Sequence, residues 1–250
     1  MRKGRMQLLR SGMLFDFDDT LVETTIYFNQ AKDSFAGIMS NLGFPVTEAL
    51  ATLNRFDIRN VKLYGGFFKE CFPRALGETY EYYCQACGRE INQTLKKEIE
   101  ELGWLVFSQP VEPVKNATGV LEKLAGRLPL YLATRGDPDV QQDRIDQSGL
   151  AHWFNKIYIL AEKNEKAYRR IASEQQLSPP VSWVVGNSMR SDVNPALRAG
   201  FKSIYVHHPH TWDYEDELPV GGHISVDSIM DILWVLGQGV QLVDKVPALP

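Results

Sequence analysis

Asp16 and Asp18 stand two positions apart at the end of a short apolar run in the stretch MLFDFDDTLVE, residues 13 to 23, and Thr20 follows two positions later. Three other apolar runs also lead into polar residues. LYLA leads to Thr134 and Arg135, KIYIL to Lys163, and WVV to Gly186, Asn187, Ser188 and Asp192. Carboxylates packed together repel one another unless a cation neutralises them. A hard, oxygen-rich set suits Mg2+, which keeps several waters and accepts phosphate oxygens. The complement of such a site is a phosphoryl group held between the ion and the basic Lys163, with one carboxylate as nucleophile and another carrying a proton.

The elements that must position these residues follow from periodicity. Over residues 128 to 206, β-rich runs alternate with helical segments: LPLYLAT, DPDVQQDRIDQSGL, KIYIL, NEKAYRRIASEQQ, SWVVGN, RSDVNPALRAG and SIYVHH. That rhythm implies crossover units and an α/β fold with a parallel sheet covered on both faces. MLFDF adds a strand far upstream, and HISV, followed by the helical SIMDILWVLG, closes the sheet at an edge. Ligands of an open parallel sheet bind beyond the carboxyl ends of its strands, where all four polar groups lie. Between the first strand and about Val114 the spacing is helical, as in ETTIYFNQAKDSFAGIMSNLG. So long an insertion is a small helical subdomain rather than a loop. Residues 1–22 and 115–250 are therefore expected to form the core domain and residues 23–114 the inserted one, with QPVEPVKNA marking the return.

A length of 250 residues, 44% hydrophobic and 23% charged residues and a net charge of −4 describe an ordinary globular chain and give no sign of a nucleic-acid partner. MRKGRMQLLRSG lacks the apolar region of a secretory signal and reads as a solvated arm. No apolar run approaches the ~20 residues of a membrane span. Three cysteines build no complete disulfide framework, so a cytoplasmic location is expected.

DFDDT matches the DxDxT signature of the haloacid dehalogenase-like (HAD) hydrolases, and LATRGD, the lysine of AEKNEKAY and VGNSMRSD follow in that family's order. The chain thus resembles a phosphatase-type member with a Rossmann-like parallel-sheet core and an inserted helical cap of the C1 kind. The resemblance implies Asp16 as the nucleophile that becomes an aspartyl-phosphate and Asp18 as the acid that protonates the leaving alcohol and later activates water. It implies that Thr134, Arg135 and Lys163 bind the phosphate, and that Asp16, Asp18 through its backbone carbonyl, Asn187 and Asp192 supply ligands to Mg2+. Lys163 is preferred to Lys166 because the family's lysine precedes an aromatic residue by five or six positions, and Tyr168 is five after Lys163. Asp19 is expected to cap the following turn.

The fourth motif usually begins Gly-Asp, whereas this chain reads Gly186-Asn187; the amide brings no charge, so a weaker hold on the metal is expected unless Asp192 compensates. Asp18 argues against halide removal, which needs no protonating acid. The expected activity is Mg2+-dependent hydrolysis of a small phosphorylated metabolite by a monomer or homodimer, with no nucleic-acid or membrane partner. A phosphomutase-like phosphotransferase and a catalytically weakened phosphate-binding regulatory protein are the alternatives. Receiver domains also gather acids at strand ends, but the long insertion after strand one disfavours them. Cys84 and Cys87 form a C-x-x-C with Cys71 upstream, a weak metal or redox signal that fits small buried residues better. VHHPHTWDYED, residues 206 to 216, reads as a loop with an aromatic plug in which His207, His208 or His210 is a candidate substrate contact. His152 and His223 read as structural. Phe67, Phe68, Tyr80, Tyr82 and Tyr83 are expected to fill the insertion's core, and Lys96, Lys97, Glu98, Glu100 and Glu101 to form a solvated helix face.

Overall fold

The computed structural model describes residues 10–237. All but the last three residues of the expected basic arm lie outside that range. The chain divides into two compact units. One comprises the described residues of Met1–Glu23, Glu112–Arg135 and Ile145–Pro250, and the other Thr24–Val111 with Gly136–Arg144.

In the first unit, strands β1 (Met13–Phe15), β2 (Leu130–Arg135), β3 (Lys156–Leu160), β4 (Trp183–Gly186), β5 (Lys202–Val206) and β6 (Ile224–Val226) form one parallel sheet. Their order is β3-β2-β1-β4-β5-β6, so the expected last strand is the edge. All three residues of β1 are fully buried, as a central strand covered on both faces requires. On one face, Leu14, Tyr131 and Ala133 pack with Tyr168 and Ile171 of helix α7 (Glu165–Gln175). Fully burying Leu14 and Ile171 stabilises the fold by about 1.5–3 kcal/mol each. The strand order reverses between β1 and β4, and ligands of such sheets collect at that reversal, beyond the strand ends.

The second unit contains α1 (Thr25–Asn41), α2 (Val46–Tyr64), α3 (Cys71–Ala86) and α4 (Gln93–Leu105). Gly65 ends α2 in the left-handed conformation, φ 72°, which glycine adopts without strain. Phe35, Met39, Leu53, Leu76 and Ile99 meet in the core of this unit. Among the insertion's aromatics, Tyr80 and Tyr83 are buried there, three positions apart on one helical face. Tyr82 is off that stripe and exposed, with its ring edge-on to Phe56, and Phe68 is exposed after the Gly65-Gly66 break, so these two do not fill the core as expected. On α4, Lys96 is not simply solvated, because its ammonium lies 2.9 Å from Glu81 of α3. Cys71 and Cys84 are buried, Cys87 is exposed, and all three are free thiols.

In the first unit the chain leaves for the insertion and returns side by side. Val22 bridges Pro113, the Glu23 N–H donates to the Glu112 carbonyl at 2.9 Å, and the Val114 N–H donates to the Leu21 carbonyl at 2.8 Å. The rest of this unit comprises α5 (Ala117–Ala125), part of α6 (Pro138–Ser148), α8 (Asn194–Arg198) and α9 (Asp231–Gly237). No helix among the described residues is long and apolar enough to cross a membrane.

Candidate active site

The site begins where β1 ends. The Asp16 N–H continues the ladder to β4 by donating to the Val185 carbonyl at 2.8 Å, which fixes the residue's backbone beside the end of that strand. Its carboxylate is almost fully buried. Oδ1 accepts a hydrogen bond from Lys163 Nζ at 2.5 Å, and Oδ2 accepts one from the Thr20 hydroxyl at 3.0 Å. Thr134 is fully buried near the end of β2; because Phe15 pairs with Leu132, Asp16 and Thr134 leave neighbouring strands at the same edge.

Lys163 lies just before Asn164, whose side chain caps α7 by accepting from the Ala167 N–H. The ammonium is buried between two carboxylates, Asp16 and Asp192, at 2.5 Å from each. Lys166, by contrast, is exposed on α7. Tyr168 donates to the Ser191 carbonyl at 3.2 Å and approaches Asp192 Oδ1 at 3.4 Å, which ties the helix after the lysine to the turn after β4. That turn, Met189–Val193, is capped by Ser188, whose Oγ accepts from the Ser191 N–H at 2.9 Å. Asp192 Oδ2 accepts from the Ser188 N–H at 3.1 Å. Gly186 is required here because a Cβ at that position would lie 2.2 Å from the Asp192 carboxylate.

Burial pushes the Asp16 carboxyl up to about 7. The Lys163 ammonium opposes this, while the Asp192 and Asp18 charges add to it. Burial also works against the charged form of Lys163, but the two carboxylates outweigh it and its pKa is raised. One ammonium between two buried carboxylates leaves the cluster one positive charge short.

The Asn187 side-chain amide completes the centre. The atom it turns inward is 3.1 Å from Asp16 Oδ2, 3.2 Å from the Asp18 carbonyl oxygen and 3.2 Å from Thr20 Oγ1. With nitrogen inward, the amide donates to these acceptors. With oxygen inward, it faces only other oxygens, an arrangement that a cation makes favourable. Ligands about 2.0–2.1 Å from an octahedral Mg2+ sit about 2.9 Å apart, close to the separations of the Asn187 side-chain atom from Asp16 Oδ2 and from the Asp18 carbonyl oxygen. Asp192 was expected among the ion's ligands, yet its oxygens are engaged by Lys163, Ser188 and Tyr168. Arg135 was expected on the phosphate, and its guanidinium is paired with Glu215 at 2.5 Å. Asp19 adopts a left-handed backbone, φ 58°, and its Oδ1 is 3.6 Å from His208 Nε2. Asp19, Glu23 and His208 present potential ligand atoms within 4.8 Å of one another. No cysteine joins a group of three such ligands among the described residues.

A family model described as haloacid dehalogenase-like hydrolase matches residues 11–200. The chain belongs to that family. The chain is similar, at 24% identity over 230 residues, to a glyceraldehyde 3-phosphate phosphatase of Methanothermobacter thermautotrophicus, covering 88% of this chain and 95% of that one. Among solved structures, a haloacid dehalogenase-like family hydrolase from Xanthomonas campestris is 28% identical with a TM-score of 0.69, covering 82% of this chain and 87% of the other. An L-2-haloacid dehalogenase from Xanthobacter autotrophicus matches at 14% identity and TM-score 0.61, covering 93% of this chain and 100% of its own, a likeness of fold alone. The protein is thus an enzyme of the HAD-like hydrolase superfamily.

Sequence reasoning missed Glu215. Its side chain gathers Arg135, Ser188 and Ser191, all within reach of the strand ends that carry the candidate site. No periodicity or motif in the loop after β5 distinguishes it from Asp213, Asp216 or Glu217, so sequence alone carries no signal for it.

Proposed function

We propose that this HAD-like hydrolase is a Mg2+-dependent phosphatase that hydrolyses a small phosphate monoester through an aspartyl-phosphate at Asp16. One observation carries the reading: the buried Asp16 carboxylate has Lys163 on one oxygen and the Asn187 side chain beside the other, and that same Asn187 side chain also faces the Asp18 carbonyl. The similarity to a glyceraldehyde 3-phosphate phosphatase supports a small phosphorylated substrate.

In this mechanism Lys163 favours the ionised form of Asp16 against the effect of burial and orients it, so that a carboxylate oxygen attacks phosphorus while the ester P–O bond breaks. Asp18, whose side chain is half-buried, gives its proton to the departing alkoxide. It then takes a proton from water as that water cleaves the acyl phosphate and frees Asp16. Thr134 and Lys163 bind phosphoryl oxygens. Asp16 Oδ2, the Asp18 carbonyl and the Asn187 side-chain oxygen would hold Mg2+, which supplies positive charge where the phosphoryl oxygens and Asp16 meet. We assign Asp192 to holding Lys163. Asp18 weighs against dehalogenation, because halide leaves without a proton.

The test is a panel of small phosphate esters with and without Mg2+, with Asp16→Asn as the control. Wild-type turnover that requires Mg2+ and falls by about 10³-fold or more in Asp16→Asn is expected. Equal turnover in the variant would overturn the nucleophile. A second reading, a phosphate-binding regulatory protein, is favoured by the uncharged Asn187; protein that bound Mg2+ yet hydrolysed no ester would support it. Transfer of phosphate to an acceptor alcohol rather than water would identify a phosphotransferase.

A further inference from the structure

We infer that Glu215 is a positioning residue of this active site, its mostly buried carboxylate clamping the segment after β4 that carries Asn187 and Asp192 to the strand end that carries Thr134. The inference rests on the phosphatase reading for what the clamped groups do. Glu215 closes a short helical turn, Asp213–Glu215, in the segment between β5 and β6. Its side chain and that of Arg135 are each only 15% exposed. Oε1 accepts from Arg135 Nη2 at 2.5 Å; Oε2 accepts from Ser188 Oγ at 2.6 Å and from the Ser191 hydroxyl. Three donors from two separate strand ends converge on one carboxylate.

The consequence for the site lies in what Ser188 does next. With its hydroxyl proton committed to Glu215, its oxygen lone pair accepts from the Ser191 N–H, and its backbone N–H holds Asp192 Oδ2. Asp192 in turn holds Lys163, which holds Asp16. Asn187, whose amide faces the Asp16 and Asp18 oxygens, directly precedes Ser188 in the chain. A shift of Ser188 therefore reaches both the ion's ligands and the lysine. On the other side, Arg135 follows Thr134 directly, and its guanidinium is paired with Glu215. Burial alone would raise the Glu215 carboxyl; Arg135 and the two serines outweigh it and hold the group below its usual range, ionised as the clamp requires.

A role limited to tying down the loop is a poor account, because the loop has another anchor. Asn194 donates to Glu217 Oε2 at 3.1 Å and to the Leu218 carbonyl at 3.0 Å, and accepts from the Val220 N–H at 2.9 Å. Removing the Glu215 charge should leave that attachment in place while loosening the turn.

The experiment compares the full-length wild type with Glu215→Gln, which keeps the size of the side chain but turns donors towards donors. Mg2+ dissociation constants by calorimetry, thermal unfolding in EDTA, and kcat and KM on an ester from the panel are the readouts. The inference expects Mg2+ binding weakened and kcat lowered by about tenfold or more, with KM within about threefold and the EDTA midpoint within a few degrees of wild type. It also expects Arg135→Gln combined with Glu215→Gln to lose less than the product of the two single losses. Mg2+ affinity and kcat within twofold of wild type, whatever the midpoint does, would overturn it. Should Glu215→Gln not fold, Ser191→Ala, which removes one donor to the same carboxylate, is judged on the same split. A wild type that neither binds Mg2+ nor hydrolyses an ester sinks the phosphatase reading itself; an active wild type beside an indifferent Glu215→Gln sinks only the clamp.

Discussion

Asn187 sets the electrical balance of the site. The usual acid at this position would add a third negative charge beside Asp16 and Asp192, while the amide adds none and can satisfy its neighbours by turning its nitrogen inward. Asn187→Asp should therefore tighten Mg2+ by about tenfold and lower the unfolding midpoint in EDTA, opposite signs that calorimetry and a thermal melt read separately. A variant that gained stability in EDTA would contradict this charge count. The raised Asp16 carboxyl has a related consequence. Proton and metal compete for one buried carboxylate whose pKa is lifted to about 7, so Mg2+ affinity should weaken by up to about tenfold per pH unit below 7 and level off above it. A calorimetric series from pH 6 to 8 checks both slope and plateau. Asp16, Thr134, Lys163 and Asn187 were legible in the sequence because each ends or follows an apolar run that only a strand explains. Glu215 was not legible, since its partner serines lie 24 and 27 residues upstream in a turn whose shape no local pattern records.

Individual elements deliver these groups through close backbone approach as well as through strand ends. The turn after β4 packs Asp192 against Gly186 so tightly that any side chain there must displace the carboxylate. Gly186→Ala should cost about 1–3 kcal/mol of stability from overpacking and release Lys163 from one of its two partners. Denaturant unfolding and kcat, measured together, should both fall; an alanine variant with wild-type values would mean that Asp192 does not need its present place. The strands were read correctly from the sequence because a sheet buried on both faces leaves unbroken apolar runs. The insertion's helices were read less well in detail. Aromatic residues cluster on α3 and in the segment before it, but only a helical stripe such as Tyr80 and Tyr83 faces inward, and composition does not separate those from Tyr82 or Phe68.

For the whole molecule, the two units differ in what holds them together. The sheet-bearing unit is built from segments distant in sequence, whereas α1 to α4 of the other are contiguous. Replacing residues 25–110 by a short Gly/Ser linker should leave the sheet-bearing unit folded, because Val22–Pro113 and Leu21–Val114 already bring the outgoing and returning chain together. Circular dichroism and a cooperative melt test this; a chain that fails to unfold cooperatively would place part of the core's stability in the insert. The hydrogen-bonded doorway at residues 21–23 and 112–114 also means that the ends of the inserted piece are fixed by bonds made within the sheet-bearing unit. Any foreign polypeptide whose termini emerge side by side, one strand's width apart, could be spliced into that doorway, which makes the catalytic base a socket for exchangeable attachments.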